Sequence, residues 1–175
     1  MKYLENEKIR LRALEPEDLE LIFAIENDTE LWDLGTANFP YSKFAVRQYL
    51  NQQPQDIFQA GELRMVIEER PTNQSVGIID LLNFSIQNKH AEIAIAIKKE
   101  HRQKRYAGNA ITILETYAAN ILGIHQLYAK VNEALNPIAS KCFASLNYKK
   151  TAVLPDWHKI QNKYYDITLL SKIIS

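Results

Sequence analysis

The chain of 175 residues is 46% apolar and sets 21 Lys and Arg against 21 Asp and Glu, for a formal net charge of zero. That balance disfavours a general nucleic-acid binder, which carries a basic excess, and no apolar run approaches the ~18 residues that span a bilayer. The N-terminus MKYLENEKIR lacks the apolar stretch of a signal peptide, while one cysteine, Cys142, and four scattered histidines give neither an internal disulfide nor zinc-type spacing. A cytoplasmic protein with no metal, membrane or nucleic-acid partner is expected, folded as a single domain over 1–175.

Residues 8–14 (KIRLRAL) alternate and predict an edge strand, with Ile9, Leu11 and Ala13 on one side. Glu15-Pro16-Glu17-Asp18 opens a helix, since proline suits a first turn and acids suit the helix dipole. Leu19, Ile22 and Phe23 carry it to about Asn27. Residues 28–41 read as irregular, with Trp32, Phe39 and Tyr41 as apolar residues that either wall a pocket or anchor the loop. Ser42 predicts the N-cap of a second helix bearing Phe44, Val46, Tyr49 and Leu50, and Pro54 and Gly61 bracket its exit. Three antiparallel strands are expected at 62–69, 76–84 and 90–98, divided by turns at PTNQS and SIQNK. In the third, Ile93, Ile95 and Ile97 alternate with Glu92, Ala94 and Ala96. From Ala107 the spacing turns helical through Ala110, Ile111, Leu114, Ala118 and Leu122. A strand at 125–131, a loop at 132–136 and a short helix from Pro137 to about Leu146 follow, then strands at 147–153 and 163–170 joined by PDWHKIQN. The order βααβββαβαββ points to an α/β or α+β layered domain around a mixed sheet.

The stretch KKEHRQKR, residues 98–105, places six basic or potentially basic residues around Glu100, between a strand and the long helix. A helix N-terminus offers unpaired N–H groups and partial positive charge, a natural anion site. The turn either holds a pyrophosphate or is solvated surface. Glu92 shares a strand face with the small Ala94 and Ala96; it either takes up a proton or a cation there, or is a solvated strand-end acid. Asp80, inside the apolar run GIIDLLNF, is either a buried, paired acid or a site group. His125 and His158 read as structural histidines rather than bases.

The order of elements and four collinear segments resemble the GNAT family of acetyl-CoA-dependent N-acetyltransferases, in its ribosomal-protein-alanine and spermidine acetyltransferase branch. The segments are IRLRALEPEDLELIF, IAIKKEHRQKRYAGNAI, VNEALNPIASKCFASLNYKK and NKYYDITLLS. The resemblance implies a GNAT-like acyl-CoA N-acyltransferase fold, a mostly antiparallel sheet of about seven strands flanked by about four helices. It also implies acetyl-CoA as cofactor and direct attack on its thioester, in a ternary complex, by a primary amine: a protein N-terminus, a polyamine or a small metabolite. Homodimers are common in the family.

In the family's pyrophosphate turn, Gln/Arg-x-x-Gly-x-Gly/Ala, this chain has Arg102-Gln103-Lys104-Arg105-Tyr106-Ala107, with Arg105 in place of the central glycine. An arginine fits there if its φ is negative and its side chain points outward. The cofactor residues implied are Arg102, Gln103, Lys104, Arg105, Ala107 and Gly108, with Ile95 and Ile97 along the pantetheine arm. Asn136 matches an Asn that contacts the arm, although before Pro137 it also reads as an N-cap. The position of the tyrosine that protonates the leaving thiolate is Phe143, which carries no proton; Ser140, Cys142, Tyr106, Tyr164 and Tyr165 are the other candidates. Glu30 and Asp33, with Trp32, lie where the family shapes its acceptor pocket, or are surface charge. Asp166 matches a final-strand Asp and reads as structural. The alternative is a catalytically weak GNAT-fold module that binds acyl-CoA and regulates, a reading that Phe143 and Arg105 favour.

Overall fold

A computed structural model describes residues 3–34, 39–52 and 57–175. Seven strands form one sheet in the order β1-β2-β3-β4-β5-β7-β6. They are β1 Ile9–Ala13, β2 Leu63–Glu69, β3 Gln74–Ser85, β4 His90–Ile97, β5 Gln126–Val131, β6 Lys149–Ile160 and β7 Lys163–Ile173. Every neighbouring pair is antiparallel except β4–β5. The helices are α1 Leu19–Glu26, α2 Thr29–Trp32, α3 Lys43–Asn51, α4 Ile57–Ala60, α5 Tyr106–Asn120 and α6 Pro137–Ser145.

Both faces of the sheet are covered, which explains why β3 reads as an almost unbroken apolar run. Ile79 and Leu81 of β3 pack with Ile111 and Leu114 of α5 and with Phe143 of α6. On the other face Ile78 of β3, Val66 of β2 and Ala96 of β4 pack with Ile22 and Ile25 of α1 and with Val46 and Leu50 of α3. The start of α1 is fastened to the edge of the sheet by Arg12, whose Nη1 and Nη2 donate to Asp18 at 2.7 and 2.8 Å while its Nε donates to Glu68 at 2.6 Å.

The four expected helices are present, and two single turns join them, α2 and α4. Thr29–Trp32 is helical where an irregular segment was expected, because Asp28 caps it, accepting from the Glu30 N–H at 3.0 Å. Pro54, expected to bracket the exit of α3, and residues 35–38 of the anticipated loop lie outside the described residues. Residues 155–160, expected as a loop, continue β6 through a bulge; the register passes from Leu154↔Ile167 to His158↔Tyr165, so β6 spends four residues where β7 spends two.

Two features prepare the cleft. Parallel pairing of β4 with β5 is confined to His90↔Gln126, Ala91↔Leu127 and Glu92↔Tyr128. Past Glu92, β4 pairs only with β3, and Ala129–Val131 of β5 only with β7, so the right-handed twist of each half carries the two strands apart. At the far end of β4, Gly77 of β3 lies opposite Ile97, so close that a Cβ there would sit 2.4 Å from the Ala96 carbonyl oxygen. Backbone cannot yield as a side chain would. Gly77→Ala is therefore expected to cost about 2 kcal/mol and lower the melting temperature by roughly 4–8 °C; an unchanged melting curve would contradict this packing.

Candidate active site

The divergence of β4 and β5 opens a cavity of about 520 Å³. Its walls include Ile93–Ala96 of β4, Ala129–Val131 of β5 with Asn132 just after it, and Asn136, Ala139 and Phe143 at α6. Leu31 and Leu34, from and just after α2, border it, as do Glu26, Arg64 and Asp80 and, from the β6 bulge, Trp157 and His158.

The basic turn follows β4 directly. A 3₁₀ turn, Lys99–His101, uses up the first amides: His101 N–H donates to Lys98 O at 2.8 Å and Arg102 N–H to Lys99 O at 3.4 Å. The next backbone bond comes only at Asn109, whose N–H donates to Arg105 O at 3.3 Å. Between them, the N–H groups of Gln103 to Gly108 donate to no carbonyl among the described residues. Gln103 and Arg105 are left-handed, at φ +64° and +66°. Left-handed residues within such a turn can aim successive N–H groups toward one concavity, the shape of an anion nest. The negative φ expected of Arg105 is not found: it takes the conformation that glycine adopts freely, at ψ 15°, and stands as N-cap of α5.

Arg102 points elsewhere. Its Nε donates to Ile97 O at 3.0 Å, its Nη1 to Glu30 at 2.8 Å and its Nη2 to Asp28 at 2.6 Å. Lys99 also pairs with Glu30. Hydrogen bonds from Lys99 and then from Arg102 hold the exposed Glu30 carboxyl below its usual range. Two of the acids at α2 thus tie it to the basic turn. Asp33 is exposed and Trp32 donates its Nε1–H to Glu26 O at 2.8 Å; neither borders the cleft. Phe39 and Tyr41 stack at 4.7 Å and also stand away from it, so these aromatics anchor the segment.

Asp80 is buried, and Arg64 grips both its oxygens at 2.9 Å while reaching Glu26 at 3.0 Å. Burial raises the Asp80 carboxyl against the pull of the guanidinium, which grips it in bidentate geometry. Asp80 is therefore both a paired acid and a part of the cleft wall. Glu92 accepts from Lys130 Nζ at 2.8 Å and from Asn83 Nδ2 at 2.9 Å. Its bond holds the Lys130 ammonium above its ordinary pKa. Asn136 is a cap and a wall at once: its Oδ1 accepts from Ala139 N–H at 3.0 Å where it borders the cleft.

Phe143 is buried edge-to-face on Tyr148 at 5.0 Å and borders the cleft without a proton to give. None of the alternative donors named from the sequence borders the cleft. Ser140 donates to Glu133 at 2.7 Å, burial pushes the Cys142 thiol up, and Tyr106 donates to Glu69, a bond that pushes its phenol up to about 12. His125 bonds Ser175 and stays structural. His158, read from the sequence as structural, borders the cleft instead. The signal that marks it is Asp166, which accepts the Asp156 N–H at 2.9 Å across the bulge and holds Asp156 at φ +50°. Among the described residues no group of three or more His, Cys, Asp or Glu is placed to hold a metal, and no helix is long and apolar enough to cross a membrane.

With this geometry, comparison with known proteins is specific. A family model described as an acetyltransferase (GNAT) domain matches residues 8–142. The spermidine N(1)-acetyltransferase of Vibrio cholerae is 27% identical over 162 residues, covering 93% of this chain and 91% of its own length. An uncharacterized N-acetyltransferase of Bacillus subtilis, YoaA, is 27% identical over 173 residues, covering 96% and 94%. Among solved structures, the Vibrio cholerae spermidine N-acetyltransferase in complex with CoA and spermine superposes with a TM-score of 0.86 over 97% of both chains, at 24% identity. A fold with this divided sheet, open amide turn and cleft, matched by that family over most of its length, makes the chain a member of the GNAT acetyltransferase family, an enzyme that transfers an acetyl group from acetyl-CoA to an amine.

Proposed function

We propose that the acceptor is a primary amine of a small polycation, in the polyamine class, and that the amide nest and the divided sheet hold acetyl-CoA beside it. The observation that carries the reading is the run of N–H groups without carbonyl partners from Gln103 to Gly108, at the end of a strand whose other edge is open. The N–H groups of Gln103, Lys104, Arg105, Ala107 and Gly108 take the diphosphate, with the charges of Lys104 and Arg105 added. The open edge of β4 at Ile95 and Ile97 pairs with the amides of the pantetheine arm as with an added strand, and Asn136 borders the arm. Bound there, the coenzyme supplies a thioester carbonyl as acyl donor. Arg102 serves from the side, fastening the turn to Asp28 and Glu30.

On the acceptor side, three carboxylates border the cleft, Glu26, Asp80 and Glu92, against two fixed cations, Arg64 and Lys130. One negative charge in excess favours a cationic amine. Glu92 attracts the ammonium, and the exposed Asp33 adds negative charge along α2, where Glu30 is balanced by Lys99 and Arg102 and Trp32 holds the segment in place. The name of the Vibrio cholerae relative points to the same acceptor class. Its dodecameric structure suggests that this chain, too, assembles as a dimer or larger. Residence in the cytoplasm, where acetyl-CoA and polyamines meet, and a single catalytic domain over 1–175 belong to the same reading.

Calorimetry is expected to show acetyl-CoA binding in the micromolar-to-millimolar range, and turnover of spermidine and spermine to exceed that of a peptide N-terminus at least about tenfold, a transition-state difference of about 1.4 kcal/mol. Equal or preferred use of the peptide would contradict the acceptor proposed.

The turn offers a second test. An L-residue in the left-handed region costs about 1–2 kcal/mol, glycine next to nothing, and a β-branched residue the most. Arg105→Gly should keep or raise the melting temperature, whereas Arg105→Val should lose about 1 kcal/mol or more and weaken acetyl-CoA binding. Identical behaviour of the two variants would contradict the nest.

A further inference from the structure

Successive residues of a strand point to opposite faces of the sheet, yet Trp157 and His158 both border the same cavity. The bulge is the reason. Asp156, at φ +50° and bonded to the Asp166 carboxylate, breaks the alternation, and bulges commonly re-aim side chains beside active sites. His158 thereby borders a cleft that it shares with Glu92 and Phe143.

The other ionisable side chains on that wall are committed. Glu26, Arg64 and Asp80 form one ion network, and Glu92 with Lys130 another. His158 has no ion pair or side-chain hydrogen bond among the described residues. The groups around it are Tyr165 across the ladder, Asp156 and Asp166 at the bulge, and Lys159 beside it, whose ammonium lies over the Tyr164 ring at 5.7 Å. Glu133, before α6, is taken up by Ser140, Thr168 and Lys150.

A primary ammonium with an ordinary pKa near 10 cannot attack a thioester until it sheds a proton. A carboxylate committed to an ion pair, such as Glu92 with Lys130, is a poor acceptor for it, and Lys130 is already a cation. Imidazole is the side chain suited to exchanging protons at neutral pH. Resting on the amine-acetylation reading above, we infer that His158 is the general base of the reaction. Its lone pair, directly or through one water, takes a proton from R–NH₃⁺ to leave R–NH₂ and imidazolium. The amine lone pair forms the C–N bond, the C–S bond breaks with its electrons on sulfur, and the second N–H proton ends on that thiolate. The imidazolium returns its proton to water. Phe143 then needs no proton of its own, because a coenzyme A thiolate is a tolerable leaving group.

The test compares pH profiles of kcat/KM for the unaltered chain and His158→Gln, with acetyl-CoA affinity measured on both. The ring C2–H of His158 is followed by NMR in the unaltered chain, where it is one of four histidines. Expected are a fall in kcat/KM of about 10²-fold or more, acetyl-CoA affinity within about twofold, loss of the acidic limb near neutrality, and an NMR titration of His158 that coincides with that limb. Turnover and limb both persisting in His158→Gln would overturn the assignment. So would a His158 titration displaced from the limb, a readout that holds even if the substitution unfolds the protein. Preference for peptide amines, with the limb still removed by His158→Gln, would contradict the polyamine acceptor and uphold the histidine.

Discussion

Only His90, Ala91 and Glu92 of β4 pair with β5, and past them each half of the sheet follows its own twist. β4 stays bonded to β3 as far as Gly77↔Ile97, and β5 stays bonded to β7 as far as Val131↔Thr168. Neither half can close the gap without breaking a ladder elsewhere. The cleft is therefore a consequence of topology: a single parallel step set within antiparallel neighbours. The chain leaving β4 is carried straight into the anion turn, and the chain leaving β5 into the loop that ends at Asn136. On the proposed reading, a coenzyme with an amide-bearing arm and a diphosphate lies along this arrangement.

The ion pairs around the cleft matter more for position than for stability. Exposed pairs such as Lys99–Glu30 add little to stability, because solvent and salt screen them. What Arg102 does is geometric: one side chain touches the last carbonyl of β4 and two acids at α2, so the basic turn and the α2 segment share a support. Arg64 plays the corresponding part on the buried side, holding Asp80 of β3 to Glu26 at the end of α1. Removing Arg64 would leave the buried Asp80 without its cation, a larger perturbation than removing Arg102, because Glu30 keeps Lys99 and Asp28 keeps the Glu30 N–H.

Alternation and helical spacing foretell most of the fold, because period 2 and period 3.6 are strong wherever a face is buried. The strands at Ile9, Ile93 and Leu127, the Ser42 cap and the Pro137 start are all found. Short-range signals fared less well. α2 is one turn long, too short for a period, and only its Asp28 cap marks it. Pro155 and Asp156 read as a turn, but the Asp166 carboxylate ten residues on absorbs them into a bulge. His158 lies just after this bulge and borders the cleft, a placement that its neighbours in the chain do not signal. Arg105 was expected to avoid positive φ, as its side chain prefers; the start of α5 imposes the opposite. The succession of strand, basic turn and helix start is legible from spacing alone, whereas the roles given to Ile95, Ile97 and the amides to Gly108 come from the family resemblance.

The central claim is that the amides from Gln103 to Gly108 receive the diphosphate of the coenzyme. Backbone amide NMR signals followed during addition of coenzyme A, and separately of pantetheine, which lacks the diphosphate, test it directly. Large shifts at Gln103, Lys104, Arg105, Ala107 and Gly108 with coenzyme A, and small ones with pantetheine, are predicted. Equal shifts with both compounds, or changes confined to other parts of the chain, would contradict it.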